Sequence, residues 1–150
     1  MSAGHVKNEP VAMRDFAIEA ARLLSDRHCE DVLVLDVRDL SQVCHYVVLA
    51  TGTSDRQMKS LASELDDLGE ELGHRRFRFS RDEASTWIVV DFVELVVHLF
   101  EPNQRAYYDL EGLWADASHV PWHRDGDDKP AGRDTSGNGE SAGDDSAGTA

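Results

Sequence analysis

Between Val43 and Gly73 an apolar run, a short polar turn and an amphipathic stripe follow one another without a break, and few folds accommodate that order. V-C-H-Y-V-V-L-A (Val43–Ala50) is short, apolar and rich in β-branched residues, as a buried strand is. T-G-T-S-D-R-Q (Thr51–Gln57) then places Ser54 three residues before Gln57, the spacing of a capping box with Ser54 as N-cap. Met58, Leu61, Leu65, Leu68 and Leu72 recur at steps of three and four, and Gly73 stands where a left-handed glycine would close the helix. A strand feeding directly into a capped helix points to a sheet with helices packed on it.

The flanking segments extend that pattern. Phe16, Ala20, Leu23 and Leu24 share one helical face within Val11–Arg27, and Val32–Val37 reads as a strand covered on both faces. In R-R-F-R-F-S-R (Arg75–Arg81) alternation puts Phe77 and Phe79 toward the core and Arg76 and Arg78 outward. Trp87–Phe92 and Leu95–Phe100 read as adjacent strands joined at Val93-Glu94, a turn without the usual Gly or Asn. Pro102 can open a last helix at its first position, with Tyr107, Leu110 and Trp114 on one stripe and Tyr108 beside it. The predicted order is α-β-β-α-β-β-β-α. It implies an α/β fold of α+β character, with one mixed sheet of about five strands.

Charge divides the chain. Of 150 residues, 15 are Lys or Arg and 29 are Asp or Glu, a net of −14. Residues 124–150 contain no Val, Ile, Leu, Met, Phe, Tyr, Trp or Cys and carry seven acids against three bases, a net of −4. Such a segment buries nothing that offsets its ordering entropy, so it is expected to be a disordered acidic tail. Residues 1–10 are expected to be a flexible N-terminus, which leaves residues 11–123 as the folded domain with a net of −10. This charge disfavours binding driven by phosphate contacts and suits a basic partner. No apolar run approaches the ~20 residues of a membrane span, and the opening residues lack a basic n-region followed by an apolar stretch, so no secretory signal is expected. Two cysteines, Cys29 and Cys44, form no disulfide framework, so a reducing cytoplasm is expected.

Gly52-Thr53-Ser54 followed by Glu64 and Asp66 superficially matches a magnesium-dependent nucleotidyltransferase, with a phosphate-holding turn and two carboxylates at i and i+2. Two such carboxylates share a metal on a strand; on a helix they stand about 200° apart. The leucine stripe makes this segment a helix, so no catalytic residue and no cofactor is assigned. The turn residues Gly52, Ser54 and Gln57 have a structural role, with anion binding at the helix start as the alternative. No metal site is expected: Pro121 interrupts His119 and His123, and His28-Cys29 and Cys44-His45 lack chelating spacing. Arg75, Arg76, Arg78 and Arg81 read as guards of an edge strand, with RNA stacking as the alternative.

Aromatic density marks one end of the domain. Trp87, Phe92, Phe100, Tyr107, Tyr108, Trp114 and Trp122 fall within 36 positions, among Asp91, Glu94, Glu101, Asp109, Glu111 and Asp116. Packing accounts for Phe92, Phe100 and Leu110, but three Trp and two Tyr exceed what one short helix must bury. Trp and Tyr with an acidic rim suit protein recognition.

At these residues a family resemblance emerges. D-V-L-V-L-D-V, V-V-L-A-T-G-T-S-D-R-Q, W-I-V-V-D-F, V-V-H-L-F-E-P and R-A-Y-Y-D-L-E-G-L-W resemble the ribosomal silencing factors, the Iojap family, collinearly from about Phe16 to Ala117. The resemblance implies a nucleotidyltransferase-like fold without catalytic carboxylates. It also implies binding to a basic protein (protein fourteen) of the large ribosomal subunit at the joining face, blocking the small subunit and repressing translation. The implied contact residues are Trp87, Asp91, His98, Phe100, Arg105, Tyr107, Tyr108, Leu110, Glu111, Leu113 and Trp114. Little direct nucleic-acid binding is expected, and the aromatic face is able to pair with a second copy away from the ribosome. The chain departs from the family pattern at His45, Val93-Glu94 and Gly112. The alternatives are a magnesium-dependent nucleotidyltransferase-like enzyme and an RNA-binding ribosome-assembly factor.

Overall fold

The computed structural model describes residues 10–84 and 86–124. The expected flexible N-terminus and acidic tail lie outside the described residues, apart from Pro10 and Arg124. The elements run α1 (Met13–Asp26), β1 (Glu30–Asp36), β2 (Tyr46–Thr51), α2 (Asp55–Leu72), β3 (Arg78–Arg81), β4 (Trp87–Asp91) and β5 (Leu95–Phe100). Then follow α3 (Pro102–Tyr108), α4 (Leu110–Leu113) and β6 (Ser118–His119). All six strands form one sheet in the order β3-β4-β5-β2-β1-β6. Among the described residues only β2 and β5 pair in parallel, from Tyr46 opposite Leu95 to Thr51 opposite Phe100; the other pairs are antiparallel.

One face of this sheet is sealed by the two long helices. α1 buries Phe16, Ala17, Ala20, Ala21 and Leu24, and its three alanines let the helix lie close to the strands. α2 buries Met58, Leu61, Ala62 and Leu65 against the same cluster, which also contains Val34, Val48, Ile88, Val90, Val97 and Leu99. The α2 ends follow the sequence. The Ser54 hydroxyl accepts from the Gln57 amide at 3.1 Å, and Gly73 closes the helix at φ +91°. Gly52 is needed for space: a Cβ there would meet the Met58 side chain at 2.3 Å.

Four expectations need correction. The sheet has a sixth strand: β6 pairs with β1 because Trp122, just beyond it, is buried in the helix-side core, its indole donating to the Val32 carbonyl at 3.2 Å. Trp122 therefore belongs to the core and not to an exposed aromatic surface. The last helix is not continuous. Asp109 adopts a left-handed conformation (φ +50°), which an Asp tolerates, and its carboxylate caps the Gly112 amide. Phe77 lies outside β3 and is 64% exposed beside the Arg78 guanidinium, because the strand begins one residue later. β2 starts at Tyr46 because the Ser41 hydroxyl accepts from the Val43 and Cys44 amides and holds them in a turn.

Candidate protein-docking face

The second face of the sheet is built differently. Over β1 and β2 a smaller cluster of Leu35, Val37, Cys44, Val47, Leu49, Phe100 and Ala117 is covered by Leu110 and Trp114, from and just after the short α4. Over β4 and β5 no long helix lies among the described residues. Trp87, Val89 and Asp91 alternate outward on β4, opposite Phe100, His98 and Val96 on β5, and all but Phe100 are only partly buried. Alternation on adjacent strands thus makes a half-open apolar floor.

Aromatic rings form the edge of that floor. Trp87 stacks on Phe100 with centroids 5.2 Å apart and meets Tyr108 at 4.4 Å; Tyr107 stands edge-on to Tyr108 at 5.0 Å. The left-handed break at Asp109 turns this end of the chain outward. Tyr107 is 78% exposed, Leu113 67% and Tyr108 43%. Asp109 and Glu111 are exposed just after these rings in the chain, and Asp91 and Glu94 lie at least partly open at the β4–β5 turn end of the floor. An exposed aromatic surface of this extent within an acidic rim is costly to leave in water and suits a protein partner.

Inside the floor, Trp87 and His98 fix one another. The indole nitrogen donates to Nδ1 of His98 at 3.1 Å, so the imidazole proton resides on Nε2. Burial pushes the His98 pKa down to about 4, against a weaker opposing pull from the Asp91 carboxylate. The imidazole is therefore neutral at physiological pH and remains an acceptor for the indole.

Arg105 sits beside this face, at the same end of the strands as Phe100 and Trp87, and is 7% exposed. Its Nε donates to Glu111 at 3.0 Å, and its Nη1 donates to the Asp31 carbonyl at 2.7 Å and the Thr51 hydroxyl at 2.9 Å. It ties α3 to the ends of β1 and β2. Of the residues expected at the contact, Phe100 and Arg105 thus lie beneath the surface and support it. Leu110 and Trp114 are half-buried over the smaller core, and Trp87, Asp91, His98, Tyr107, Tyr108, Glu111 and Leu113 reach the open side. Val89 and Val96 share the floor and were missed from the sequence, although alternation from Trp87 and His98 would have found them.

The candidate chemical groups are spatially dispersed. Glu64 pairs with Arg27 at 2.9 Å and Asp66 with Arg76 at 3.6 Å, so the two carboxylates diverge across α2. At the Gly52–Gln57 turn, the Gly52 amide donates to the Phe100 carbonyl at 2.8 Å and the Thr53 amide to the Gln57 side chain at 2.6 Å. Those amides are engaged within the chain. Arg78 pairs with Asp91 at 3.7 Å on the edge strand. No helix among the described residues is long and apolar enough to cross a membrane.

Fold and face together define a small α/β domain with one sealed sheet face and one half-open aromatic face of the kind that recognises proteins. Comparison with known proteins gives that class its family. The sequence model described as "Ribosomal silencing factor during starvation" matches residues 10–148. A Bacillus subtilis protein named ribosomal silencing factor is 37% identical over 98 residues, covering 65% of this chain and 83% of its own length. The chloroplastic Iojap protein of Zea mays is 31% identical over 105 residues, covering 70% of this chain and 46% of its own. A crystal structure of a Chromobacterium violaceum protein superposes with a TM-score of 0.66 at 31% identity, covering 70% of this chain and 88% of that one. The chain belongs to the ribosomal silencing factor family, whose role is in translation regulation.

Proposed function

We propose that the domain docks its half-open sheet face on a basic protein of the large ribosomal subunit, protein fourteen at the joining face. It then occupies volume that the small subunit needs, repressing translation without covalent chemistry. One observation carries this reading: among the described residues no long helix covers the floor of Val89, Val96 and His98, and Trp87 at its edge is met by Tyr108, with Tyr107, Tyr108 and Leu113 exposed and acidic side chains nearby. Long-range attraction between those acidic side chains and a basic patch steers the encounter, and the aromatic anchors, once desolvated, slow dissociation. The net charge of −10 on Met1–His123 limits adhesion to surrounding phosphates.

Light scattering of purified subunits during joining tests the steric block. The protein in excess over large subunits is expected to lower the joined fraction in proportion to its occupancy. Joining that proceeds unchanged at full occupancy would sink the mechanism.

A further inference from the structure

Beside the docking face an open cleft of about 410 Å³ lies between β1 and α3, lined by Glu30, Asp31, Thr51, Pro102, Arg105 and Glu111 among others. It stands at the carboxyl ends of the parallel strands β2 and β5, where open α/β sheets leave a crevice for ligands. Two independent features describe what it accepts. The first is charge: Glu30, Asp31 and Glu111 face one guanidinium, so the cleft is net negative, and the three acids are exposed while Arg105 is buried. The second is an orphan donor. Nη2 of Arg105 is buried and has no hydrogen-bond partner, although Nε and Nη1 of the same group are fully used. A buried unpaired donor of this kind is costly and calls for an acceptor oxygen.

We infer that this cleft is a binding site for a basic side chain, Lys or Arg, presented by the protein partner. The cationic head lies among Glu30, Asp31 and Glu111, and a carbonyl oxygen of the same partner segment accepts from Nη2 of Arg105. A free phosphate or carboxylate would satisfy Nη2 but would meet three carboxylates at the mouth. A bare cation would suit the mouth and leave Nη2 unpaired. A peptide segment with a basic residue supplies both groups. The site rests on the reading of the second face as a protein-docking surface, and α3, which supplies Arg105 to the cleft and Tyr107 and Tyr108 to that face, joins the two.

The test combines a probe and a partner. In an NMR titration of the full chain, N-acetyl-lysine methylamide is expected to shift the Arg105 Nε–H and Thr51 amide signals, and the neutral norleucine analogue to leave them in place. Equal response to both probes, or to neither, overturns the site. In parallel, co-sedimentation with purified large subunits compares wild type, Glu30→Gln/Asp31→Asn and Trp87→Ala. Asn is at home in the left-handed conformation of Asp31 (φ +51°), so the double variant retains the backbone. It is expected to bind about five- to tenfold more weakly, with a difference that fades as salt rises. Undiminished binding of the double variant, with Trp87→Ala impaired, overturns the cleft and keeps the docking face. Undiminished binding of both variants overturns the docking reading as well.

Discussion

The two faces of the sheet use the same strands for opposite ends. On the α1/α2 side, Phe16, Leu24, Met58, Leu61, Leu65, Ile88, Val97 and Leu99 are fully buried beneath helices of 14 and 18 residues. On the other side, helices of seven and four residues, broken at Asp109, cover the β1/β2 half and reach the Trp87 and Phe100 end of β4 and β5 through Tyr108. β4 and β5 carry both characters in alternation: Ile88 and Val90 point into the sealed core, Trp87 and Val89 into the open floor. Stability and recognition are thus separated by a single residue step along one strand. A substitution on one side is expected to unfold the domain, whereas a substitution on the other is expected to spare the fold and lose the partner.

The sharpest way to break this division is on the sealed side. Phe16→Ala removes a fully buried ring that stacks on His74 and meets Phe92 edge-on, and is expected to cost about 3–5 kcal/mol in urea unfolding. A loss below about 1 kcal/mol would mean that this face does not carry the stability. On the open side, Trp87→Ala is expected to weaken large-subunit binding by about 2 kcal/mol or more while shifting the unfolding free energy less than Phe16→Ala does.

The floor has its own pH signature. The folded-state pKa of His98 lies at about 4 against 6.5 for the free side chain, so the unfolded chain binds the proton more readily between those values. This group's contribution to stability is complete above 6.5 and is lost as pH falls toward about 4. Urea midpoints measured from pH 7 to 4 should decline less steeply in His98→Asn than in wild type; identical slopes would remove His98 as the source.

Two smaller effects concern the connections. Ser54→Ala deletes the α2 cap and is expected to cost about 1 kcal/mol in thermal unfolding. Val93 holds φ +77° in the tight β4–β5 turn, where the Glu94 amide donates to the Phe92 carbonyl at 3.0 Å. Val93→Gly relieves a β-branched residue from that conformation and is expected to raise stability by up to about 1 kcal/mol. Loss of stability instead would show that the exposed valine contributes packing.

Much of this contrast was legible in the chain because it is written locally. Ser54 and Gln57 mark the start of α2 through side-chain bonds within four residues, Gly73 marks its end through a left-handed backbone, and the leucine stripe needs no tertiary knowledge. What escaped depends on distant partners. β6 is two residues long and exists because Trp122 reaches Val32 across the core. Asp109 breaks the last helix through its own carboxylate and the absence of a Cβ at Gly112, and periodicity cannot register that combination. Arg105 reads as an exposed helical cation. Its burial is set by Asp31 and Thr51, which lie more than fifty positions away in sequence. The docking face was found through its aromatic composition, whereas its floor of Val89 and Val96 required the strand register.

The central claim is that the half-open face carries binding to the large ribosomal subunit. Co-sedimentation with isolated large and small subunits, run in parallel for wild type, Trp87→Ala and Tyr108→Ala with folding checked by near-UV circular dichroism, tests it most directly. The account predicts that wild type pellets with large subunits and not with small ones, and that each folded variant remains in the supernatant. Folded variants that pellet as wild type does would contradict it.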